Sequence, residues 1–340
     1  MKILYHIPYP GGIGDDRTIY DGYVYAFTDL GHVIAPFTER DSLPEIFRDV
    51  KPDFFITSLN MIQPHKNAET LRGYRRSGGV VLMKAGIFAE TEKELFRLIR
   101  EDYLADIYAA ELEVPDFQRF TGKELRMLAL AASRKYHFPA APTKKYACDI
   151  VYVGANLPKK RDLFRRRLFP LMKKYDVKVF GSDWGILDRA VLHPLAKLER
   201  ITLGTGAVSN FRIRRQVPYE EENQAYASAK ISLNFHEQMG DGKTFLLNGR
   251  TFKIPASGGF EICDHVPLLR KYFAEDEVVM AKDDNDFFRK IDYYIAHEAE
   301  REKIRRKGTE RALRDHTYHN RARLLLGWYE EIIRARSLAS

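Results

Sequence analysis

The chain has 340 residues, of which 45% are hydrophobic and 30% are charged, which is normal for a soluble globular protein. No run of eighteen apolar residues occurs, so a membrane-spanning helix is not expected. The two cysteines, Cys148 and Cys263, lie far apart, which excludes a disulfide framework or a cysteine metal site and predicts a cytoplasmic location.

The excess positive charge, 55 Lys and Arg against 47 Asp and Glu, is concentrated in three runs at 159–175, 211–215 and 301–311. Basic faces attract phosphates, anionic lipid or nucleic acid. In 301–311 acids alternate with bases, which favours a solvated helix face. In 159–175 acids are nearly absent, so binding to phosphate or to the inner face of a membrane is an alternative to solvation.

The first half of the chain alternates between apolar strands and helices. Residues 2–8 form an apolar first strand rather than a signal peptide. Further strands are predicted at 32–38, 53–59 and 80–86, with helices at 18–32 and 41–51. Strands separated by helices of this length predict a parallel sheet covered on both faces.

A second α/β series follows the proline-marked stretch 137–147. Its strands are predicted at 148–156, 177–184 and 231–236, and its helices at 159–175, 219–230 and 283–313. The expected fold is α/β, with two Rossmann-like doubly wound domains at 1–146 and 147–320. Ligands of such sheets lie beyond the carboxyl ends of the strands, so the loops there are the candidate sites.

The loop at 8–16 follows the first strand and is rich in glycine. Gly11, Gly12 and Gly14 permit close backbone approach to a ligand, and their N–H groups could hold an oxyanion. Asp15 and Asp16 are candidates for a general base or for accepting from a hydroxyl. A flexible turn without function is the alternative.

A second candidate loop, 154–161, opens the first helix of the second half. Gly154 leaves room for a ligand, and Lys159, Lys160 and Arg161 lie at the helix start. Positive side chains there oppose the helix dipole, so local stability does not explain them. A bound diphosphate would explain them, and a solvated basic turn is the alternative.

The third candidate loop runs from residue 234 to residue 252, with a helix expected to start near Leu246. Its hydrogen-bond donors are Asn234, His236, Lys243 and Arg250. His236 could be structural, but its polar neighbours favour a functional role. The helix is expected to be kinked by Pro255 and to end near Ser257, with Gly258 or Gly259 at positive φ.

These residues also indicate a family. The segments VPYEEENQAYASAKISLNFH (217–236) and LNGRTFKIPASGGFEICD (247–264) resemble CgeB-like, spore-maturation-type group 1 glycosyltransferases of the two-domain GT-B fold. DIVYVGANLPKKRDLF (149–164) and VKVFGSDWG (177–185) resemble the start of the same half. The resemblance covers roughly residues 148–325, and the first half fits only at the level of fold.

The resemblance implies a glycosyltransferase. Its donor, a nucleotide-diphosphate sugar, would bind mainly to the second half, and its acceptor, a saccharide, glycolipid, protein or nucleic acid, mainly to the first. No metal ion or other cofactor is implied, and the group 1 relatives mostly retain anomeric configuration. The final helix, about 321–340, would cross back onto the first domain.

The resemblance also implies roles for individual residues. Gly154, Lys160 and Arg161 would lie near the phosphates, and Gly258 and Gly259 would form a turn behind the donor. The residues that would line the phosphate and sugar are Asn234, His236, Gly249, Arg250 and Thr251. For an inverting reaction the candidate bases are Asp15, Asp16 and His236.

The sequence departs from the family pattern at Lys253. Family members usually place there a glutamate that accepts hydrogen bonds from the nucleotide ribose, and a lysine has only donors. Three interpretations are open. Lys253 contacts a phosphate; or another acid (Glu237, Glu261 or Asp264) takes over the ribose; or donor binding is lost.

Two other function classes compete with sugar transfer to an ordinary acceptor. One is a nucleic-acid-directed protein, either base-glycosylating or only binding, which the calculated pI of 9.2 favours. No zinc finger, helix-turn-helix or RNA-binding aromatic signature supports it. The other is a non-catalytic glycosyltransferase relative, in which Lys253 marks the lost activity.

Overall fold

The structure is a computed structural model that describes residues 1–7, 15–59, 61–85, 104–112, 117–214, 217–238 and 245–339. Within these ranges a few side chains at the margins, including those of Asp15 and Asp16, are not described.

The first sheet has six strands, all parallel, in the order β2-β1-β3-β4-β5-β6. The strands are β1 Lys2–His6, β2 Val33–Phe37, β3 Phe54–Ser58, β4 Val80–Lys84, β5 Ile107–Ala110 and β6 Leu125–Met127. Every residue of β3 is buried, as expected for a strand covered on both faces. The predicted parallel sheet of the first half is therefore confirmed.

Helices cover both faces of this sheet. They are α1 Asp15–Asp29, α2 Leu43–Val50, α3 Ile62–Lys66, α4 Ala68–Arg76 and α5 Phe117–Thr121. The last helix of the chain, Tyr318–Ala339, also lies here, because Tyr318, Leu325 and Trp328 join the apolar cluster under β1 and β3. The expected return of the C-terminal helix to the first sheet is confirmed, and it begins three residues earlier than predicted.

The second sheet has five parallel strands in the order β13-β12-β9-β7-β8. They are β7 Cys148–Val153, β8 Val177–Phe180, β9 Ala229–Asn234, β12 Glu261–Cys263 and β13 Val279–Met280. A separate antiparallel pair joins β10 Glu237–Gln238 to β11 Phe245–Leu246. Two parallel α/β sheets confirm the predicted fold class.

The helices of the second half follow the same numbering. They are α6 Arg161–Leu163, α7 Phe169–Leu171, α8 His193–Thr202, α9 Ala207–Arg214, α10 Glu222–Ser228, α11 Arg250–Ala256, α12 Asp284–Ala296, α13 Glu298–Asp315 and α14 Tyr318–Ala339. Turns of 3-10 helix occur at Pro158–Lys160, Tyr219–Glu221 and Pro267–Lys271, and π-helical turns at Phe164–Leu168 and Asp188–Leu192. Residues 188–214 thus form a helical hairpin, which the sequence patterns did not predict.

The expected start of a helix near Leu246 is wrong. Phe245 and Leu246 instead pair with Gln238 and Glu237, and the helix begins at Arg250. The Asn248 side chain accepts the Arg250 backbone N–H at 3.0 Å, which fixes the helix start four residues later than predicted.

The two sheets are joined by residues 128–147 and by the start of α14. Ala132 forms an isolated bridge with Thr317. The Arg321 guanidinium donates to the carbonyl of Ala129 at 2.9 Å and to that of Leu130 at 3.1 Å. These buried contacts tie the connecting segment to the C-terminal helix.

Candidate functional site

A cavity of about 350 Å³ lies at the carboxyl ends of β7 and β8. This is the edge of a parallel sheet where ligands bind in α/β proteins. Its walls come from the loops after these strands, the start of α10 and the start of α11. The lining residues are Tyr152, Val153, Gly154, Ala155, Leu157, Lys160, Gly181, Ser182, Val217, Tyr219, Glu222, Glu237, Asn248, Gly249, Arg250 and Lys253.

Two glycines allow the loops of the cleft to pack closely. A Cβ at Gly154 would collide with Arg250 Nη1 and lie 2.8 Å from the Tyr152 hydroxyl. Gly181 has φ +135°, and a Cβ there would strike the Gly154 carbonyl. Gly154 therefore makes room for protein atoms, at a position where the sequence predicted room for a ligand.

Lys160 is a buried cation in the cleft wall. The residue is 4% exposed, and its ammonium donates to the Phe235 carbonyl at 3.0 Å and lies 3.5 Å from Glu237 Oε1. Burial and the nearby Arg250 charge lower the pKa of Lys160 to about 8. A lysine with a lowered pKa in a cleft is a candidate for binding an anion.

Arg250 joins the ends of two strands. Its guanidinium donates to Val153 O at 2.9 Å, to Phe235 O at 3.0 Å and to Asn234 Oδ1 at 3.1 Å, and it lies over the Tyr152 ring. The residue lines the cleft as expected. Its hydrogen bonds nevertheless show a structural role that the sequence did not reveal, because each nitrogen of the guanidinium bonds to protein.

Asn234, His236 and Thr251 form a buried network behind this wall and are not among the lining residues of the described cleft. The His236 Nδ1 N–H donates to Asp264 Oδ1 at 2.6 Å, and Nε2 lies 2.9 Å from the Thr251 hydroxyl. Asn234 Nδ2 donates to Glu261 Oε1 at 2.8 Å. Both ring nitrogens of His236 thus have protein partners, so this geometry does not place His236 to act as a base in the cleft.

Two carboxyl groups in this network have opposite pKa shifts. Burial raises the pKa of Glu261 to about 8, despite the Asn234 hydrogen bond. Burial also tends to raise the pKa of Asp264. The attraction and hydrogen bonds of His236 outweigh this effect and hold the pKa of Asp264 below its usual value. Glu261 is therefore mostly protonated at neutral pH and Asp264 is ionised.

Lys253 is paired with an acid that the sequence analysis did not consider. Its ammonium lies 3.7 Å from Glu222 Oε2, and both residues line the cleft. The Tyr226 hydroxyl donates to Glu222 Oε1 at 2.9 Å, and His137 Nε2 lies 3.3 Å from Oε2. Burial opposes ionisation of Glu222, but Lys253 and His137 hold its pKa well below the usual value.

His137 belongs to the segment between the two sheets. Its Nδ1 accepts the Ser133 backbone N–H at 3.0 Å, so in the neutral ring the proton is on Nε2 and faces Glu222. The connecting segment therefore contributes directly to the charge pair in the cleft.

The other predicted residues have different positions. Gly249 lines the cleft, whereas Arg161 is half-buried and is not among the lining residues of the described cleft. Gly258 has φ +79°, which confirms the expected end of α11, and its carbonyl accepts from Arg305. A Cβ at Gly259 would lie 2.9 Å from an Ile254 methyl carbon.

Several of the predicted site residues are described incompletely or not at all. Gly11, Gly12 and Lys243 lie outside the described residues. Asp15 and Asp16 are in the first turn of α1, and only their backbone is described.

Tyr152, Glu222 and Asn248 also line the cleft and were not predicted from the sequence. Tyr152 is the penultimate residue of β7 and precedes the predicted loop by two positions, so its place at the strand end was a usable signal. Glu222 belongs to the acidic run at 220–222, and its sequence position carried no sign of a partner at residue 253.

The carboxyl edge of the first sheet has a second polar cluster. His6 Nδ1 lies 2.8 Å from the Thr57 hydroxyl, and Nε2 lies 3.1 Å from Glu39 Oε1. Burial and the charge of Lys84 lower the pKa of His6 to about 3, so this imidazole is neutral.

The described residues contain neither a metal-binding cluster nor a membrane-spanning helix. They include no group of three or more His, Cys, Asp or Glu side chains placed to hold a metal ion. None of the helices formed by these residues has the length and apolarity needed to span a bilayer.

Comparisons with known proteins agree on family and fold. The family described as glycosyl transferase-like matches residues 160–327, about half of the chain. The spore protein CgeB of Bacillus subtilis strain 168 is 22% identical over 312 residues, which span 89% of this chain and 90% of the relative.

Solved structures of glycosyltransferases share the fold over nearly the whole chain. Sucrose-phosphate synthase from Thermosynechococcus elongatus has a TM-score of 0.64 at 13% identity, covering 98% of this chain and 100% of that one. An alpha-glucosyltransferase in complex with UDP and a 13-mer DNA has a TM-score of 0.60 at 12% identity, covering 98% and 99%. Residues 160–327 therefore match the glycosyl transferase-like family, and the whole chain has the GT-B fold and is similar to the spore protein CgeB.

Proposed function

We propose that this chain transfers a sugar from a nucleoside-diphosphate sugar to an acceptor hydroxyl and needs no metal ion. The donor's diphosphate would lie in the cleft at the carboxyl edge of the second sheet. The observation that carries the proposal is Lys160, whose buried ammonium faces a cavity of about 350 Å³. Among the described residues it has one carbonyl at 3.0 Å and one carboxylate at 3.5 Å as partners.

Lys160 has the properties that the reaction requires. Sugar transfer releases a nucleoside diphosphate, and a fixed cation beside that group stabilises the negative charge that develops on it. The ammonium has three N–H donors, and the Phe235 carbonyl uses one of them. A phosphate oxygen can accept from another, and its charge would offset the cost of burying the lysine. Because a side chain supplies this positive charge, we propose that a bound metal ion is not needed.

The pair of Lys253 and Glu222 gives the cleft an acceptor for the nucleoside. Glu222 is held ionised, and a carboxylate accepts hydrogen bonds from hydroxyl groups. We assign Glu222 to the ribose hydroxyls, in place of the glutamate that the family resemblance implies at position 253. Glu261 and Asp264, two of the acids expected to take that role, are 3% and 7% exposed and bonded to Asn234 and His236.

We propose retention of anomeric configuration, which the resemblance to group 1 glycosyltransferases supports. Asp15 and Asp16, at the start of α1, stay the candidate groups on the acceptor side. Saccharide, glycolipid, protein and nucleic-acid acceptors are all compatible with a cleft that recognises the donor.

The test is a thermal-shift screen of nucleoside diphosphates and their sugars, with EDTA and separately with magnesium. A ligand that binds the folded state raises the melting temperature. We expect at least one nucleoside diphosphate to do so in EDTA. Release of that diphosphate from its sugar is then measured, and proton NMR gives the product anomer. The proposal fails if every ligand needs the metal or if none binds.

A further inference from the structure

The segment that joins the two sheets directs two adjacent side chains to different halves of the protein. The Tyr136 hydroxyl donates to Asp21 Oδ2 in α1 at 2.6 Å. The ring of the next residue, His137, faces α10, where its Nε2 lies 3.3 Å from Glu222 Oε2. His137 is fully buried, so water does not compete for this contact. One turn of the connecting segment therefore contacts both a helix of the first sheet and an acid of the donor cleft.

The surroundings of His137 make its ring a hydrogen-bond donor to Glu222. Nδ1 accepts the Ser133 backbone N–H at 3.0 Å, which requires a lone pair on that nitrogen. The ring proton is therefore on Nε2, on the side of the carboxylate. The His137 backbone N–H donates to the Ser133 carbonyl at 2.7 Å, which also fixes the chain at this point. His137 thus offers Glu222 one hydrogen bond in a fixed direction.

The Glu222 carboxylate has capacity to accept further hydrogen bonds. A carboxylate has about four lone-pair positions, two on each oxygen. The Tyr226 hydroxyl uses one on Oε1, at 2.9 Å, and His137 uses one on Oε2. The Lys253 ammonium, 3.7 Å from Oε2, is too distant for a hydrogen bond. The described residues therefore leave one position on each oxygen of a carboxylate that lines the cleft, which suits two neighbouring hydroxyl groups.

Two partners from different elements fix the plane of this carboxylate. The last torsion of a glutamate has a broad energy profile, so one contact alone does not fix it. Tyr226 holds Oε1 from one turn further along α10, and His137 holds Oε2 from outside that helix. Without His137, Oε2 would turn toward the Lys253 ammonium, which attracts it. The free position on Oε2 would then be used by the lysine instead of by a ligand.

We propose that His137 is a positioning residue that orients Glu222 so that its carboxylate accepts from both ribose hydroxyls of a ribonucleoside-diphosphate donor. The role of His137 rests on the proposed function, and in particular on the assignment of Glu222 to the ribose. It also defines the donor class, because a 2′-deoxyribose has one hydroxyl for the two free positions. A deoxy ligand loses a hydrogen bond to a charged group, so the site should select ribonucleoside over 2′-deoxyribonucleoside diphosphates.

The test compares the two ligand classes by calorimetry on the full-length protein. The probes are UDP, ADP, GDP and CDP, their 2′-deoxy forms and inorganic pyrophosphate, each with EDTA and separately with magnesium. His137→Asn keeps an acceptor near the Ser133 N–H but is too short to reach Glu222. His137→Gln places an amide N–H near the position of Nε2. The matched control, Tyr136→Phe, removes the neighbouring hydrogen bond from the same segment, and circular dichroism verifies that each variant is folded.

We expect the parent to bind at least one ribonucleoside diphosphate about tenfold or more tightly than its 2′-deoxy form. His137→Asn should reduce this preference to below about threefold by weakening the ribo form, with little change for the deoxy form and for pyrophosphate. His137→Gln should keep most of the preference, and Tyr136→Phe should keep all of it. A merely structural role of His137 would instead weaken all three kinds of probe alike.

A second readout uses the parent protein and needs no folded variant. In NMR spectra of histidine-labelled protein, the ribo form should shift the His137 ring Nε2 resonance, and the deoxy form should shift it much less. Equal shifts with both forms, or none, would contradict the role of His137.

The role of His137 is also overturned if His137→Asn keeps the preference of the parent, or if Tyr136→Phe loses as much. Equal binding of ribo and deoxy forms by the parent overturns it too, but leaves the diphosphate site of the proposed function in place. If no nucleoside diphosphate binds with or without magnesium, the proposed function itself fails, and the role of His137 fails with it.

Discussion

The ammonium of Lys253 lies 3.7 Å from the carboxylate of Glu222, and both side chains are in the wall of the cleft. The family resemblance implies a glutamate at position 253, whereas here the acid, Glu222, lies on α10. The net charge at this point of the wall is therefore balanced within the protein, and an acceptor for ribose hydroxyls is still present.

The first prediction concerns this pair. Lys253→Met leaves the buried Glu222 carboxylate without its cation and should cost about 3 kcal/mol in the free energy of unfolding. Lys253→Glu should cost more, because it adds a second carboxylate. The double variant Lys253→Glu/Glu222→Lys should recover most of that loss. Urea unfolding measures these three variants and the single variant Glu222→Lys.

An exposed ion pair is the control for the buried pair of Lys253 and Glu222. Lys174 and Asp292 are 2.8 Å apart and well exposed, so Lys174→Met should cost less than about 1 kcal/mol. If the double variant is as unstable as the sum of the two single ones, the two charges do not interact as inferred.

The second prediction concerns Lys160 and pH. Its pKa is about 8, and a diphosphate binds the protonated form, so nucleotide affinity should fall above pH 8 by up to about tenfold per pH unit. Lys160→Met should weaken binding by about 1.5–3 kcal/mol at pH 7 and remove this dependence. Isothermal titration calorimetry from pH 6.5 to 9 gives both quantities.

Lys159→Met is the matched comparison for Lys160, because the neighbouring side chain is exposed and is not among the described cleft's lining residues. It should keep the affinity and the pH dependence of the parent. Equal loss in both variants would point to a diffuse electrostatic effect and would contradict the role of Lys160.

The third prediction distinguishes a structural role of Arg250 from a role in ligand binding. Arg250→Lys cannot supply the planar set of donors that serves Val153 O, Phe235 O and Asn234, so it should cost about 2–4 kcal/mol of stability. Arg161→Lys should cost little. Denaturant unfolding measures the stability of both variants, and calorimetry on the folded protein measures their nucleotide affinity. Full stability with a tenfold loss of nucleotide affinity would make Arg250 a ligand-binding residue instead.

The fourth prediction follows from the raised pKa of Glu261. Its folded pKa is about 8 and its ordinary value is 4.5. The folded state therefore binds this proton more tightly, and the contribution to stability is complete below pH 4.5 and is lost as pH rises to 8. Glu261→Gln stays neutral, so its stability relative to the parent should increase from pH 5 to pH 8.

Glu222→Gln should show the opposite trend. The pKa of Glu222 is lowered, so its stabilising contribution is present at neutral pH and is lost on acidification. Relative to the parent, Glu222→Gln should be constant above about pH 5 and gain stability only as pH falls below 4.5, so unfolding free energies at about pH 3, 4, 5, 6.5 and 8 test both variants. A parallel pH dependence of the two would show that one of the pKa directions is wrong.

The sequence by itself predicted much of the fold, because apolar strands and helix signals are local patterns. The strand at 53–59 was predicted and β3 Phe54–Ser58 was found, fully buried. The helix end at Gly258 followed from glycine's freedom at positive φ. The start of the same helix was misplaced, since it depends on a strand pairing between Leu246 and Glu237.

The arrangement of the candidate site was decided by tertiary structure. The sequence pointed to Lys160 and Lys253 but could not reveal Glu222, which is 31 positions before Lys253 and touches it only after α10 and α11 pack together. Nor could it show that His236 faces Asp264 behind the cleft wall. Residue types and their spacing determine which groups reach the end of a strand. The partner of each side chain depends instead on how separate helices and strands pack together, and no local sequence pattern encodes this packing.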